Sequence, residues 1–225
     1  MSLLLYAITD GGQTGQAQKG VGAQPVRPIG QDGLVALVSE HAMPPSIDEQ
    51  SLWAFEAVIE AHMSDRTVLP ARFGSLIEDA GAVEHLLRDR RSELQATMER
   101  IRGAVELSVR AIWPGGEPSS SPEDERPATS GAGTDYMLAR AALERRARRL
   151  AAALHETLDP FARSARYRIL SRPTAPVTAA FLVDRDAADQ FVARVKKVDV
   201  TLDDVDLVCT GPWPAYSFVE GGGGG

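Results

Sequence analysis

Apolar positions along this chain recur with two different periods. Leu3-Leu-Leu-Tyr-Ala-Ile8 and Leu34-Val-Ala-Leu-Val38 are short continuous apolar runs that predict strands, and the turn signal Asp10-Gly-Gly12 closes the first. A glycine- and glutamine-rich loop is expected between them, up to Gly30. From Leu52 the spacing changes to three and four. Leu52, Phe55, Ile59 and Met63 share one helical face behind Ser46-Ile-Asp-Glu49, which has the spacing of a capping box. Val68-Leu69 before Pro70 reads as extended. One long helix is predicted over 82–102, with Val83, Leu87, Leu94, Met98 and Ile101 on one side and Gly103 at its end.

The second half opens on clean alternation. Val105, Leu107, Val109, Ala111 and Trp113 point one way and Glu106, Ser108 and Arg110 the other, a half-buried strand. Residues 114–130 have no apolar period and are expected to be a disordered loop. A long helix over 135–159 aligns Leu143, Leu150, Leu154 and Leu158 and is stopped by Pro160. Strands are predicted at 166–170 and 177–183, the second apolar throughout and therefore central. Ala188, Phe191, Val192, Val195 and Val198 mark an amphipathic helix, and Val205, Leu207 and Cys209 a last alternating strand. The fold class is α+β with two domains. Residues 1–102 form an N-terminal α+β domain, and 103–210 have the βαββαβ order of a ferredoxin-like domain. Residues 211–225 form an extended proline- and aromatic-rich tail.

Charge and composition narrow the classes. With 24 basic and 31 acidic residues the formal charge is −7, which argues against a general nucleic-acid binder. The single cysteine, Cys209, cannot form an intramolecular disulfide and fits a reducing cytosol. The first apolar run is too short for a signal sequence and no run has the length of a membrane span, so a cytoplasmic protein without a membrane partner is expected.

Little in the sequence points to catalysis. Gly11–Gly20 lacks the Gly-Lys-Ser/Thr ending of a phosphate loop and precedes no predicted helix. The four histidines (His41, His62, His85 and His155) show neither a metal-ligand set nor an acid–base spacing, so no metal, no cofactor and no catalytic residue is expected. Cys209 reads as a small buried hydrophobe. Arg145, Arg146, Arg148 and Arg149 occupy the helix face opposite the leucines, as a solvated face or a surface for an acidic protein. Only Phe181 and Trp113 could offer stacking platforms, which argues against RNA.

The segment Val208-Cys-Thr-Gly-Pro-Trp-Pro-Ala-Tyr-Ser-Phe-Val219 is the most distinctive stretch. Pro212 and Pro214 exclude a helix and a central strand, yet Trp213, Tyr216 and Phe218 need apolar surroundings, either the chain's own core or a partner. Arg72, within Leu69-Pro-Ala-Arg-Phe-Gly74, is either a structural cation at the domain junction or a partner anchor.

Gly-Pro-Trp-Pro-Ala-Tyr-Ser-Phe-Val at 211–219 resembles the C-terminal signature of the gas vesicle protein GvpF/GvpL family. Thr67-Val-Leu-Pro-Ala-Arg-Phe-Gly74 and Gly133-Thr-Asp-Tyr-Met-Leu138 resemble two further family elements, while Ala215 stands where the family usually has a second proline. The resemblance implies a two-domain, non-enzymatic assembly factor or minor component of gas vesicles. Its implied partners are the hydrophobic shell protein GvpA and other accessory gas vesicle proteins, and its implied location is the gas vesicle. Trp213, Tyr216, Phe218 and Arg72 are the candidate partner-binding residues. The alternative is a ferredoxin-like module that senses a small ligand.

Overall fold

In a computed structural model of the chain, residues 1–11, 18–113, 132–170, 176–202 and 205–219 are described, excepting the side chains of 132–136 and 139. The expected loop at 114–130, the terminal glycines and most of Gly11–Gly20 lie outside them. Among the described residues the fold is mixed α/β, with two sheets and five α-helices. It divides into two compact units, 1–104 with 213–225, and 105–212.

The first unit is built on β1 (Ser2–Asp10), whose seven interior residues are all buried. That pattern belongs to a strand covered on both faces. It pairs antiparallel with β3 (Leu34–His41) on one side, and with β4 (Val68–Pro70) and β5 (Leu76–Ile77) on the other. The strand β2 (Arg27–Gln31) completes the order β2-β3-β1-β4. β2 lies inside the expected loop, because the polar sequence before Gly30 hides an edge strand with one buried residue, Ile29. The β2–β3 connection is the two-residue Asp32-Gly33, both at positive φ (53° and 85°), the primed turn whose twist suits a hairpin.

Helix α1 (Glu49–Met63) packs on β1 and β4 through Phe55, Val58 and Ile59. Two sequence expectations change here. The cap is Asp48, whose Oδ1 accepts the Ser51 amide at 2.8 Å, so Ser46 and Glu49 make no capping box. Leu52 is exposed rather than part of the buried stripe.

The long helix expected over 82–102 is two helices, α2 (Ala80–Asp89) and α3 (Arg91–Ile101). Arg90 leaves helical geometry (φ −100°, ψ 12°), and its guanidinium clamps Glu93 through two hydrogen bonds of 2.9 and 2.6 Å. The sequence carries the reason. After Leu87 the apolar face skips 90 and 91, both arginine, and resumes only at Leu94.

The second unit runs β6 (Ala104–Ile112), α4 (Ala132–Leu158), β7 (Ser164–Ile169), β8 (Val177–Asp184), α5 (Ala188–Asp199) and β9 (Asp206–Trp213). Its sheet has the order β7-β8-β6-β9, which makes β8 an interior strand as expected. Leu107, Val109, Ala111, Phe181 and Val183 from the sheet meet Leu150, Leu154, Leu158, Phe191 and Val195 from the helices in one core. Leu143, expected on that helix face, is exposed, and the first buried side chain among the described residues of α4 is Ala147.

Candidate functional site

The tail leaves the second sheet along β9, an edge strand, where the prolines can be accommodated without breaking a two-sided ladder. After Trp213 the backbone closes one 3-10 turn, Tyr216–Phe218, with the Phe218 amide donating to the Ala215 carbonyl at 3.0 Å. The expectation of no helix therefore holds for an α-helix only, since a single tight turn needs no donor from Pro214.

Residues 214–219 are seated on the first unit. Pro214, Ala215 and Phe218 are buried, Phe218 at 2% exposure. Arg100 Nη2 of α3 donates to the Phe218 carbonyl at 2.8 Å, and the Tyr216 hydroxyl donates to Glu56 Oε1 of α1 at 2.8 Å. The Tyr216 ring packs against the cluster of Leu4, Tyr6, Phe55, Val58 and Ile59. Burial pushes the Glu56 carboxyl above its usual range, the Tyr216 hydrogen bond opposes that shift, and neighbouring Glu60 adds to it. Of the three tail aromatics only Trp213 keeps a large exposed surface, 40%.

Below this seat, Tyr6 is the extra residue of a β-bulge, where the register with β3 shifts between Leu5 and Ala7. Its ring stacks on Phe55 at 5.0 Å. Its hydroxyl lies 2.7 Å from Ser39 Oγ and accepts the Val21 amide at 2.9 Å. Burial pushes the Tyr6 phenol up, against those two hydrogen bonds. Gly20 is a glycine for this reason: a Cβ there would stand 2.2 Å from the Tyr6 hydroxyl oxygen. Packing, not an anion, explains that residue of the glycine-rich loop.

Arg72 sits at the head of a turn in which the Ser75 amide donates to the Arg72 carbonyl at 3.1 Å, and Gly74 takes φ 85°. Positive φ at the third position is the signature of a type II turn. Phe73 points inward and meets Phe55 edge-on at 5.3 Å, while Arg72 points outward and is exposed. Phe73, beside Arg72, and Tyr216 both pack against the Phe55 cluster.

Other chemistry is dispersed. His62 Nδ1 lies 2.9 Å from the Val58 carbonyl on its own helix, and His41 Nε2 is 2.9 Å from Ser39 Oγ, with burial lowering the His41 pKa. His155 and Asp159, four residues apart on one helical face, do form a pair, with Nδ1 2.5 Å from Oδ2. Asp159 also accepts the Tyr167 hydroxyl at 2.5 Å, so both carboxylate oxygens tie the end of α4 to β7. Burial, then Asp159, drives the Tyr167 pKa far up. Among the described residues no group of three or more His, Cys, Asp or Glu is placed to hold a metal ion, and no helix is long and apolar enough to cross a membrane.

Cys209 is half-buried against the second core, and burial raises its thiol pKa, with Lys196 opposing. Such a thiol is a poor nucleophile. Arg146 lies over the Trp113 ring at 4.5 Å and Arg148 pairs with Glu144 at 2.6 Å, so the arginine face is partly engaged within its own unit. A cleft of about 290 Å³ opens in the second unit between Pro160–Arg163 and Ala187–Phe191, beside an ion pair of Arg163 and Asp184.

The fold is similar to crystal structures of gas vesicle protein GvpF. The TM-score is 0.82 to the protein from Anabaena sp., at 21% identity over 99% of each chain. It is 0.77 to the one from Microcystis aeruginosa, at 20% identity over 97% of this chain and 99% of that one. Gas vesicle protein F of Streptomyces sp. is 30% identical, with 98% of this chain and all of the relative covered. Gas vesicle protein L of the same organism is also 30% identical, over 95% of this chain and 91% of the relative. The family model for gas vesicle synthesis protein GvpL/GvpF matches residues 2–220, and on that match the chain belongs to the GvpL/GvpF family of gas vesicle proteins.

Proposed function

We propose that the chain is a cytoplasmic, non-enzymatic assembly factor or minor structural component of gas vesicles. It binds the hydrophobic shell protein GvpA and other accessory gas vesicle proteins during shell nucleation and growth. Family membership supports the setting. The observation that carries the contact is Trp213, an indole left 40% exposed at the head of a segment whose other aromatics are anchored. An exposed aromatic held by buried neighbours loses little entropy on binding, and tryptophan is enriched among residues that dominate interfaces. In this reading Trp213 touches the partner, Tyr216 and Phe218 hold it in position, and Arg72 contributes from its turn. A shell subunit kept apolar for assembly aggregates unless its surface is covered, and covering it is the physical task. The second domain, 103–210, is a ferredoxin-like scaffold for the tail at 211–225; its strand order β7-β8-β6-β9 supports that assignment.

The test is co-purification of tagged protein with co-expressed GvpA, wild type beside Trp213→Ala, with thermal unfolding of both. Loss of GvpA from a variant that still melts like wild type supports the contact. A wild-type protein that retains no GvpA refutes it. The second reading, a small-ligand-sensing module, has the cleft beside Arg163 and Asp184 in its favour, although its volume is at the lower edge for ligand sites. A saturable rise in melting temperature with a metabolite panel would move the assignment there.

A further inference from the structure

The stretch between Arg27 and Arg66 contains neither lysine nor arginine but seven carboxylates, Asp32, Glu40, Asp48, Glu49, Glu56, Glu60 and Asp65. The rest of the chain is balanced, so this stretch accounts for the whole formal charge of −7. Arg27 pairs with Glu40 and Arg66 with Asp65, and Tyr216 donates to Glu56. Asp48, Glu49 and Glu60 remain on the exposed side of α1 and its start.

The same short region carries large exposed apolar side chains: Met43 (77% exposed), Ile47 (85%), Leu52 and Trp53 (66%). Ile47 and Leu52 stand at the positions just before the Asp48 cap and four into the helix, which meet in a hydrophobic staple. Trp53 Nε1 donates to Glu49 Oε1 at 3.2 Å, which holds the indole along the helix surface. Core residues Phe55, Val58 and Ile59 face the other way, so the buried core of the unit does not include this patch.

We propose that this face of α1 docks a basic amphipathic helix of a partner protein. Apolar side chains of the partner cover Met43, Ile47, Leu52 and Trp53, and its lysines or arginines meet Asp48, Glu49 and Glu60. Tryptophan and methionine are enriched at interface cores, and charges of one sign around such a core steer the opposite sign to it. The partner is a helix because α1 satisfies its backbone groups internally and offers no strand edge. The field repels nucleic acid and anionic lipid.

The inference stands apart from the GvpA reading, and its test needs no gas vesicle protein. ¹⁵N-labelled full chain has three indole N–H signals, assigned by single Trp→Phe variants. It is titrated with a leucine–lysine amphipathic peptide of about 18 residues, roughly five helical turns, and with the leucine–glutamate counterpart. The lysine peptide is expected to move the Trp53 signal and leave Trp113 in place, while the glutamate peptide moves neither. Trp53→Ala, and the double variant Glu49→Gln with Glu60→Gln, should each weaken binding about tenfold or more. Met43→Ser with Ile47→Ser, two changes outside the residues of α1, should do the same and keeps the test valid if Trp53→Ala misfolds. Absence of binding, equal binding of the two peptides, or undiminished affinity in these variants overturns the proposal.

Discussion

Trp53 and Trp213 are both exposed indoles on the chain, and they rest on opposite kinds of support. Trp53 stands on a helix that closes its own hydrogen bonds, beside a carboxylate four residues away. Trp213 stands at the head of a segment with a single tight turn, held by residues far away in sequence, Glu56 and Arg100. The first is positioned by local structure and the second by tertiary contact. Exposure alone therefore does not set the cost of disturbance: the position of Trp213 is as strong as the seat beneath Phe218.

The largest test of that difference is Phe218→Ala. Emptying a site that is 2% exposed should destabilise the protein by about 3–5 kcal/mol in denaturant titration and release Trp213. A cost below about 1 kcal/mol would mean the tail is only loosely held, and the contrast would vanish. Next is Gly20→Ala. The added methyl meets the Tyr6 hydroxyl, which Ser39 and Val21 hold in place, and overpacking there should cost about 1–3 kcal/mol. Tyr6 supports Phe55, so this change asks whether the helix under Trp53 also depends on distant packing. A neutral result would show that the Tyr6 hydroxyl can move aside.

Tyr216→Phe keeps the ring and removes one hydrogen bond, about 0.5–1.5 kcal/mol by thermal or chemical melting. Glu56→Gln sharpens the point through pH. Because burial raises the Glu56 pKa, the folded protein holds that proton more tightly than the unfolded chain. Stability therefore falls as pH rises from the ordinary carboxyl value through the raised one, and the deficit is complete above it. Glutamine still accepts from Tyr216 and carries no charge. The variant should be the more stable protein at neutral pH, with the difference closing in acid. An unchanged pH profile would show that Glu56 is as hydrated as any surface carboxylate. Smallest of all is Trp53→Ala, expected within about 0.5 kcal/mol of wild type by melting.

Much of this was legible in the residues themselves. Both apolar runs of the first unit are strands, the alternation from Val105 is the strand β6, and the aliphatic run at 177–183 is an interior strand. Local signals failed where two local choices compete. Ser46 and Asp48 both suit a helix start, and only the packed helix selects Asp48. The skip in apolar spacing at Arg90 and Arg91 marked a break, but long helices tolerate such gaps when nothing covers them. Edge strands β2 and β5 bury too few residues to leave a pattern.

The candidate site shows the same division. Its aromatics and prolines stood out in the sequence, and the family signature with them. Which ring turns inward did not, because that depends on what lies across from each. Phe218 meets the first unit and Trp213 does not spend its surface in the same way. His155 and Asp159 were a readable pair at helical spacing, whereas Tyr167 joins them only through the fold.

By itself, then, the sequence determined the period of each element, the residues that must leave water, and the family to which the chain belongs. Periodicity encodes a buried side because every helix or strand repeats its own geometry at each residue. The tertiary structure alone decided the strand orders, the seat of the tail and the outward face of α1. Those depend on contacts between residues distant in sequence, from strand partners such as Leu3 and Glu40 to the tail contacts of Tyr216 with Glu56 and Phe218 with Arg100, and no local repeat can carry them.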